Sequence, residues 1–270
     1  MKYTNGRQYE GMWENDLRVG EGFERYQNGN TYSGNFKAGK AHGHGVYTWL
    51  NGEVYDGEWS RGNKQGHGMW KGVREDSYVG EWLSSKANGY GVHRYPNGDR
   101  YEGMWKMGLK HGNGTDILAS GDTYVGEFIN GKMQGKGVYK FSNGHIYNGE
   151  YVNGERHGKG QWRSSENLTQ SNTYDGMWLH DKKHGYGVFT WVSGNVYTGE
   201  YKEDERHGKG CMEWTDGSTY EGEWKNGIQH GWGKMTFPNG KVTEGYFEDN
   251  IFKADVTYEQ YLEIKREMEE

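Results

Sequence analysis

A five-residue pattern, Tyr-x-Gly-x-aromatic, returns ten times at almost constant spacing, and no single-core globule accommodates that. The copies open at Tyr9, Tyr32, Tyr55, Tyr78, Tyr101, Tyr124, Tyr147, Tyr174, Tyr197 and Tyr220, every step being 23 residues except the 27 from Tyr147 to Tyr174. Self-similarity at such a period means a repeat architecture in which each repeat is one supersecondary unit. The stretch from Tyr220 to Gly240 shows what the unit is. In Tyr220-Glu-Gly-Glu-Trp224 the odd positions are apolar or small and the even ones acidic, so an extended chain puts its rings on one side. Asn226-Gly227 and Asn239-Gly240 supply residues that tolerate positive φ at tight connections. Between them Gly233, Met235 and Phe237 alternate with Trp232, Lys234 and Thr236, a second strand. The unit is a β-hairpin with too little apolar area to bury its face alone.

The third residue of each copy is glycine throughout, from Gly11 to Gly222, and the fifth is always aromatic, as in Trp13, Phe36, Trp59 and Tyr151. A glycine between two rings of one strand leaves a slot in which a neighbouring strand's ring can lie. A second glycine pair recurs, as in Gly43-His-Gly45, Gly112-Asn-Gly114 and Gly208-Lys-Gly210. It opens a strand, whereas a phosphate-cradling loop opens a helix. Backbone geometry and ring packing therefore account for these glycines.

The stretches Tyr-Glu-Gly-Glu-Trp-Lys-Asn-Gly and His-Gly-x-Gly closely resemble MORN repeats, and the likeness runs from Tyr9 to about Lys253. The resemblance implies an all-β fold, an elongated single-layer antiparallel sheet of stacked β-hairpin repeats curled into a trough. With two strands per repeat about 4.8 Å apart, ten repeats reach on the order of 100 Å before curvature. Arrays of this kind resemble radial-spoke head proteins of cilia and cortical cytoskeletal proteins of protists. Others, such as the junctophilins, imply attachment to membranes or phosphoinositides. Some relatives carry an enzyme domain after the repeats, a phosphatidylinositol phosphate kinase or a lysine methyltransferase, and this sequence holds no such segment.

Composition agrees with a thin, ring-based fold. Hydrophobic residues make up only 32% while 47 residues are glycine, 12 tryptophan and 22 tyrosine, which replaces a thick aliphatic core by ordered aromatic repeats. The net charge of -6 is carried entirely from Glu244 onward, where nine acidic residues face three basic ones. The preceding array is neutral, a poor electrostatic partner for nucleic acid or an anionic leaflet. The one cysteine, Cys211, cannot form an internal disulfide, and an N-terminus without an apolar run leads to the expectation of a cytoplasmic protein, associated with the cytoskeleton or a cilium.

Met1 to Gln8 reads as a partial N-terminal repeat, so that the array starts part-way through a unit, as a fragment of a longer array or an end capped by another element would. Ten repeats then occupy 9–242, a degenerate partial repeat 243–253, and a helix 254–270. Departures mark local features. Val73-Arg-Glu75 stands where a glycine turn is expected, so the second strand there is expected to end early; Ser84-Ser85-Lys86 replaces Asn-Gly; and Ser164 to Ser171 is a polar insertion, read as a tolerated surface loop. Its Asn167-Leu-Thr169 matches a glycosylation sequon, expected unmodified inside the cell. Thr257-Tyr-Glu-Gln260 has the form of a capping box. Tyr258, Tyr261, Leu262, Ile264 and Met268 share one helical face, expected to cap the bare edge of the last strand.

No constellation here carries catalysis. His42, His111, His157, His184, His207 and His230 share the eleventh position of their units. Successive repeats present one imidazole per about 10 Å, too far apart for the converging ligands zinc requires. No serine sits in a strained elbow, and Cys211 lies in a strand with no basic neighbour in a helix cap to activate it. The reading is a non-catalytic scaffold with no cofactor and no metal. A protein partner, extended or helical, would lie along the rings of the array, with Tyr78, Trp82, Tyr101, Trp105, Tyr124 and Phe128 as candidate anchors. The alternative is a membrane or phosphoinositide tether, disfavoured by charge, and a homodimer is a further expectation for an open aromatic face.

Overall fold

The computed structural model describes residues 1–269, side chains through residue 267. The chain divides into two compact units, Met1–Lys132 and Met133–Glu270. The first holds β1 (Gln8–Glu14), β2 (Leu17–Arg25), β3 (Thr31–Lys37), β4 (Lys40–Thr48), β5 (Val54–Ser60), β6 (Asn63–Lys71), β7 (Ser77–Leu83), β8 (Lys86–Arg94), β9 (Arg100–Lys106), β10 (Leu109–Ile117) and β11 (Thr123–Ile129). The second holds β12 (Lys132–Lys140), β13 (Ile146–Val152), β14 (Glu155–Arg163), β15 (Thr173–Leu179), β16 (Lys182–Thr190), β17 (Val196–Lys202), β18 (Glu205–Glu213), β19 (Thr219–Lys225), β20 (Ile228–Thr236), β21 (Val242–Glu248), β22 (Ile251–Ala254) and the helix α1 (Tyr258–Glu269). Within each unit every strand pairs antiparallel with its neighbours in sequence. Each unit is therefore a single-layer meander of hairpins, the all-β class read from the repeat, with one helix at the C-terminal end.

The turns follow the residues that tolerate positive φ. Asn226-Gly227 has φ of 51° and 81°, and Ser84-Ser85 reaches 49° and 64° without any glycine, the geometry of two-residue hairpin turns. Between hairpins a wider turn recurs, in which Tyr95 N–H bonds Asp99 O at 2.8 Å and Gly98 N–H bonds Tyr95 O at 3.0 Å. At Gly72–Asp76 this turn forms with Glu75 at φ 64° in the glycine's place. The early strand end expected there does not occur, since β6 keeps the nine residues of its counterparts. The bond from Gly72 N–H to Asp76 O and the strand pairing on either side outweigh the strain of one left-handed glutamate, about 1 kcal/mol.

Glycine runs as a ladder across each unit: Gly11 faces Gly22, which faces Gly34, which faces Gly45, and so on. The ring above each glycine pair is the first tyrosine of that same hairpin. This corrects the expectation of a neighbouring strand's ring, because two residues along one strand is the distance at which a tyrosine can fold back over the glycine. Its hydroxyl then donates to a backbone carbonyl three residues on, Tyr32 to Asn35 at 2.9 Å and Tyr101 to Met104 at 2.9 Å. The neighbouring repeat contributes instead at the tyrosine's edge. Tyr55 lies between Trp59 of its own repeat and Trp82 of the next, with centroids at 5.2 Å and 5.2 Å, both edge to face. Such pairs stabilise by about 0.5–1.5 kcal/mol each beyond area burial. Each hairpin's core is thus completed by its successor.

The first glycine of each Gly-x-Gly makes a bulge, with Gly66 at φ 63° and the register slipping between Gly57 and Trp59. The amide exposed by the bulge is taken by the acid at the fourth position: His67 N–H to Glu58 at 3.0 Å, Tyr90 N–H to Glu81 at 3.1 Å, Lys209 N–H to Glu200 at 3.1 Å.

The capping box forms as expected. Thr257 N–H bonds Gln260 Oε1 at 2.9 Å, and Gln260 N–H bonds Thr257 Oγ1 at 3.3 Å. The helix it starts lies across the face opposite the tyrosines rather than along the sheet edge. Tyr261, 5% exposed, stacks on Tyr246 at 6.0 Å and donates to Glu223 at 2.9 Å. Tyr258 meets Trp232 at 5.4 Å. Tyr246 takes the fourth position of its strand, where Glu58, Glu81, Glu200 and Glu223 stand in other repeats, and with Trp232 it draws the helix onto that face. Leu262 and Ile264 are half-buried, and Met268 lies outside the described side chains. Thr257→Ala is expected to cost about 1 kcal/mol, confined to α1. Faster amide exchange in 258–267 with unchanged strand protection is the readout, and uniform acceleration would contradict it.

Candidate partner-binding face

The six candidate anchors all lie on the tyrosine face, and all are covered. Tyr78, Trp82, Tyr101, Trp105, Tyr124 and Phe128 are 0 to 9% exposed, since each ring is enclosed by the glycine ladder beneath and a neighbour's ring beside it. They are core rings and offer a partner almost no area.

A second row of rings beside them is half-buried. It comes from the second strands, two residues after the paired glycine, and from the turn that follows. In the first unit Tyr47 packs on Trp49 at 4.6 Å, and His93 stacks on Tyr95 at 4.0 Å and meets Trp70 at 6.3 Å. In the second unit Phe189 packs on Trp191 at 4.5 Å and Trp162 at 6.3 Å. Burial pushes the Tyr95 hydroxyl up to about 12 and the His93 imidazole down, so both stay neutral near neutral pH.

Cations cap these rings from the tenth position of six of the ten repeats, directly opposite the fifth-position ring. In the first unit that position reads Arg18, Ala41, Lys64, Ala87, Lys110, facing Trp13, Phe36, Trp59, Trp82 and Trp105 in register. Lys64 Nζ stands 4.5 Å from the Trp82 ring centre and 5.0 Å from Trp49, a cation–π arrangement. Burial lowers its pKa, with Glu53 acting in the opposite sense. Arg18 sits over Phe36 at 5.1 Å and pairs with the buried Glu24, which Arg7 also reaches. Lys110 pairs with Asp116 at 2.5 Å. Where alanine replaces the cation at position 41, a cavity of about 180 Å³ is lined by Phe36, Tyr47 and Trp59. In the second unit Arg156, Lys183 and Arg206 occupy three successive repeats, leaving no alanine between them.

Sequence reasoning does not find this row. Its signal is present as the alternation of basic residue and alanine at a fixed repeat position, but basic residues read as a charge total do not show that each one lies on a ring. The insertion at 164–171 is ordered by Ser171, buried at 4%, and by a short 3-10 turn capped by Asn167. Among the described residues no group of three His, Cys, Asp or Glu is placed to hold a metal, and no helix is long and apolar enough to cross a membrane.

The MORN repeat model matches residues 9–31, 32–54, 55–73, 78–100, 101–123, 124–146, 147–167, 174–196, 197–219 and 220–242. The chain belongs to the MORN repeat family. The two shortened matches in this MORN array end at residue 73, just before the turn in which Glu75 replaces a glycine, and at residue 167, inside the polar insertion. Among curated proteins none matches the sequence. Among solved structures, the TCP10 domain of Danio rerio CPAP in complex with a peptide of Danio rerio STIL is similar at 11% identity and TM-score 0.44, covering 89% of this chain and 99% of that one. The SAS-4 (dCPAP) TCP domain of Drosophila melanogaster, in complex with a proline-rich motif of Ana2, is similar at 13% identity and TM-score 0.36, covering 60% and 87%.

Proposed function

We propose that this MORN array is a non-catalytic protein-interaction scaffold of a cytoskeletal or ciliary assembly, and that it takes an extended partner segment on the outer ring row of the first unit. The observation that carries the reading is the alternation at the tenth position. Arg18, Lys64 and Lys110 stand as cationic ridges, with the small side chains of Ala41 and Ala87 between them and a cavity beside Ala41. Ridges two repeats apart are separated by four strand spacings, about 19 Å, which an extended segment of about six residues spans. Such a segment sets side chains over the alanines against half-buried rings, the rigid aromatic surface that dominates interface energetics. The tether alternative has no comparable support, because Arg18, Lys110 and Arg156 are paired with carboxylates and Lys64 lies on rings.

Replacing the alanines tests this. Lysine already stands at the tenth position in other repeats, so A41K/A87K is expected to keep the melting transition of the parent chain. Peptides selected on the parent chain from a random display library are expected to bind the variant at least roughly tenfold more weakly, a loss of about 1.4 kcal/mol. Equal binding to both would overturn the reading.

A further inference from the structure

The face opposite the tyrosines holds an open concave space that neither the core nor the outer ring row uses. It lies in the second unit, beside the start of α1, where a cavity of about 750 Å³ opens. Three rings line it, Tyr186, Trp232 and Tyr258, together with the carboxylates Glu221, Glu244 and Glu259. Tyr186 is 60% exposed, and Trp232 meets Tyr258 edge to face at 71°. The Nε1 of Trp232 is buried and has no acceptor among the described residues. A buried donor left unsatisfied costs about 1–3 kcal/mol, a local cost carried by the face on which α1 settles.

The charges lining the space are unevenly committed. Glu223 also borders it but is taken, accepting from Tyr261 at 2.9 Å and lying 3.6 Å from Lys265 Nζ. Glu221, Glu244 and Glu259 form no ion pair among the described residues. Lys209 is the one cation in the lining, and Lys234 stands between Glu221 and Glu244 in register without reaching ion-pair distance of either. Four carboxylates against one ammonium, next to three rings, make a site for a cation that also presents a flat face.

We propose that this cavity binds an arginine-bearing peptide segment. The guanidinium stacks on the ring of Tyr186 or Trp232 and donates its paired N–H groups to Glu221 or Glu244. Arginine fits better than lysine because its planar fork both stacks on rings and meets a carboxylate with two bonds. The site lies in the second unit, on the face away from that unit's tyrosines, and stands or falls separately from the positions Ala41 and Ala87 of the first unit.

The test uses a fluorescein-labelled peptide of alternating glycine and arginine, and its counterpart with citrulline for arginine, which keeps the shape and removes the charge. Anisotropy is expected to report binding of the arginine peptide to the full chain and at least roughly tenfold weaker binding of the citrulline peptide. E221Q/E244Q is expected to weaken arginine-peptide binding to a similar extent, and so is Y186A, with melting transitions unchanged because all three side chains are exposed. The charge-matched control E10Q/E14Q alters two equally exposed acids of the first unit and is expected to leave binding intact. Equal binding of both peptides, or equal weakening by E221Q/E244Q and E10Q/E14Q, would reduce the effect to net charge and overturn the proposal.

Discussion

Gly91→Ala is expected to destabilise the first unit by about 3 kcal/mol, the upper part of the range for forcing extra atoms into a packed site. A methyl there would lie 2.3 Å from the Tyr78 hydroxyl and 2.5 and 2.6 Å from ring atoms. The ring has nowhere to go: it is 3% exposed, and Trp82 and Trp105 press on it edge to face at 5.0 and 5.5 Å. Gly144→Ala is the contrasting change. Its φ of +88° strains alanine, yet nothing lies within 4 Å of the added methyl, so a loss of about 1 kcal/mol is expected. Urea midpoints at equal slope measure both. A Gly91→Ala chain that unfolds at the parent's midpoint would show that the tyrosine is not held over the ladder. Because each hairpin's core is closed by the next repeat, the loss is expected to spread from β7 and β8 to adjacent hairpins.

Alkaline pH is expected to melt the sheet through the same rings. Burial pushes the Tyr32 and Tyr124 hydroxyls from 10.0 up to about 12, and those of Tyr55, Tyr78, Tyr101, Tyr147, Tyr174, Tyr197 and Tyr220 still further. A folded-state pKa raised above the unfolded one means that the folded chain holds the proton more tightly. Stability is therefore complete below pH 10 and falls as pH rises from there through about 12. Each tenfold gain in proton affinity on folding corresponds to about 1.4 kcal/mol. With solvent screening across a layer one ring thick, about 1–2 kcal/mol per tyrosine is a fair scale. Several tyrosines losing that much together exceed a typical stability of about 5–15 kcal/mol. Tyrosinate absorbance and the strand circular dichroism signal are expected to change in one steep step above pH 10. Gradual ionisation from pH 10 with the strand signal intact would contradict the burial of these hydroxyls.

Much of the fold is legible in residue order. Two-residue turns at Asn-Gly, the paired glycines opening each second strand and the capping box at Thr257 and Gln260 are local chemistry, settled by which φ a residue tolerates and which neighbour its side chain can reach. The strand before Val73 to Glu75 departs from expectation because a turn closed by the backbone hydrogen bond from Gly72 N–H to Asp76 O accepts a glutamate at positive φ. The anchors depart from it for a different reason. Alternation tells that Tyr78, Trp82 and the residues opposite them share a face, but not which of those rings a neighbour covers.

What the sequence determined on its own is therefore the repeat: its length, its two strands, its turns and the side on which its rings fall, because each depends on contacts within about twenty residues. What only the tertiary structure decided is exposure. Tyr78 is sealed by Trp105 from the following repeat, Lys64 is drawn onto Trp82 of the next hairpin, and α1 settles on Trp232 and Tyr246 of the face that carries the acids. Each of these depends on which rings two separate hairpins bring within van der Waals reach, and a single repeat holds only half of any such contact.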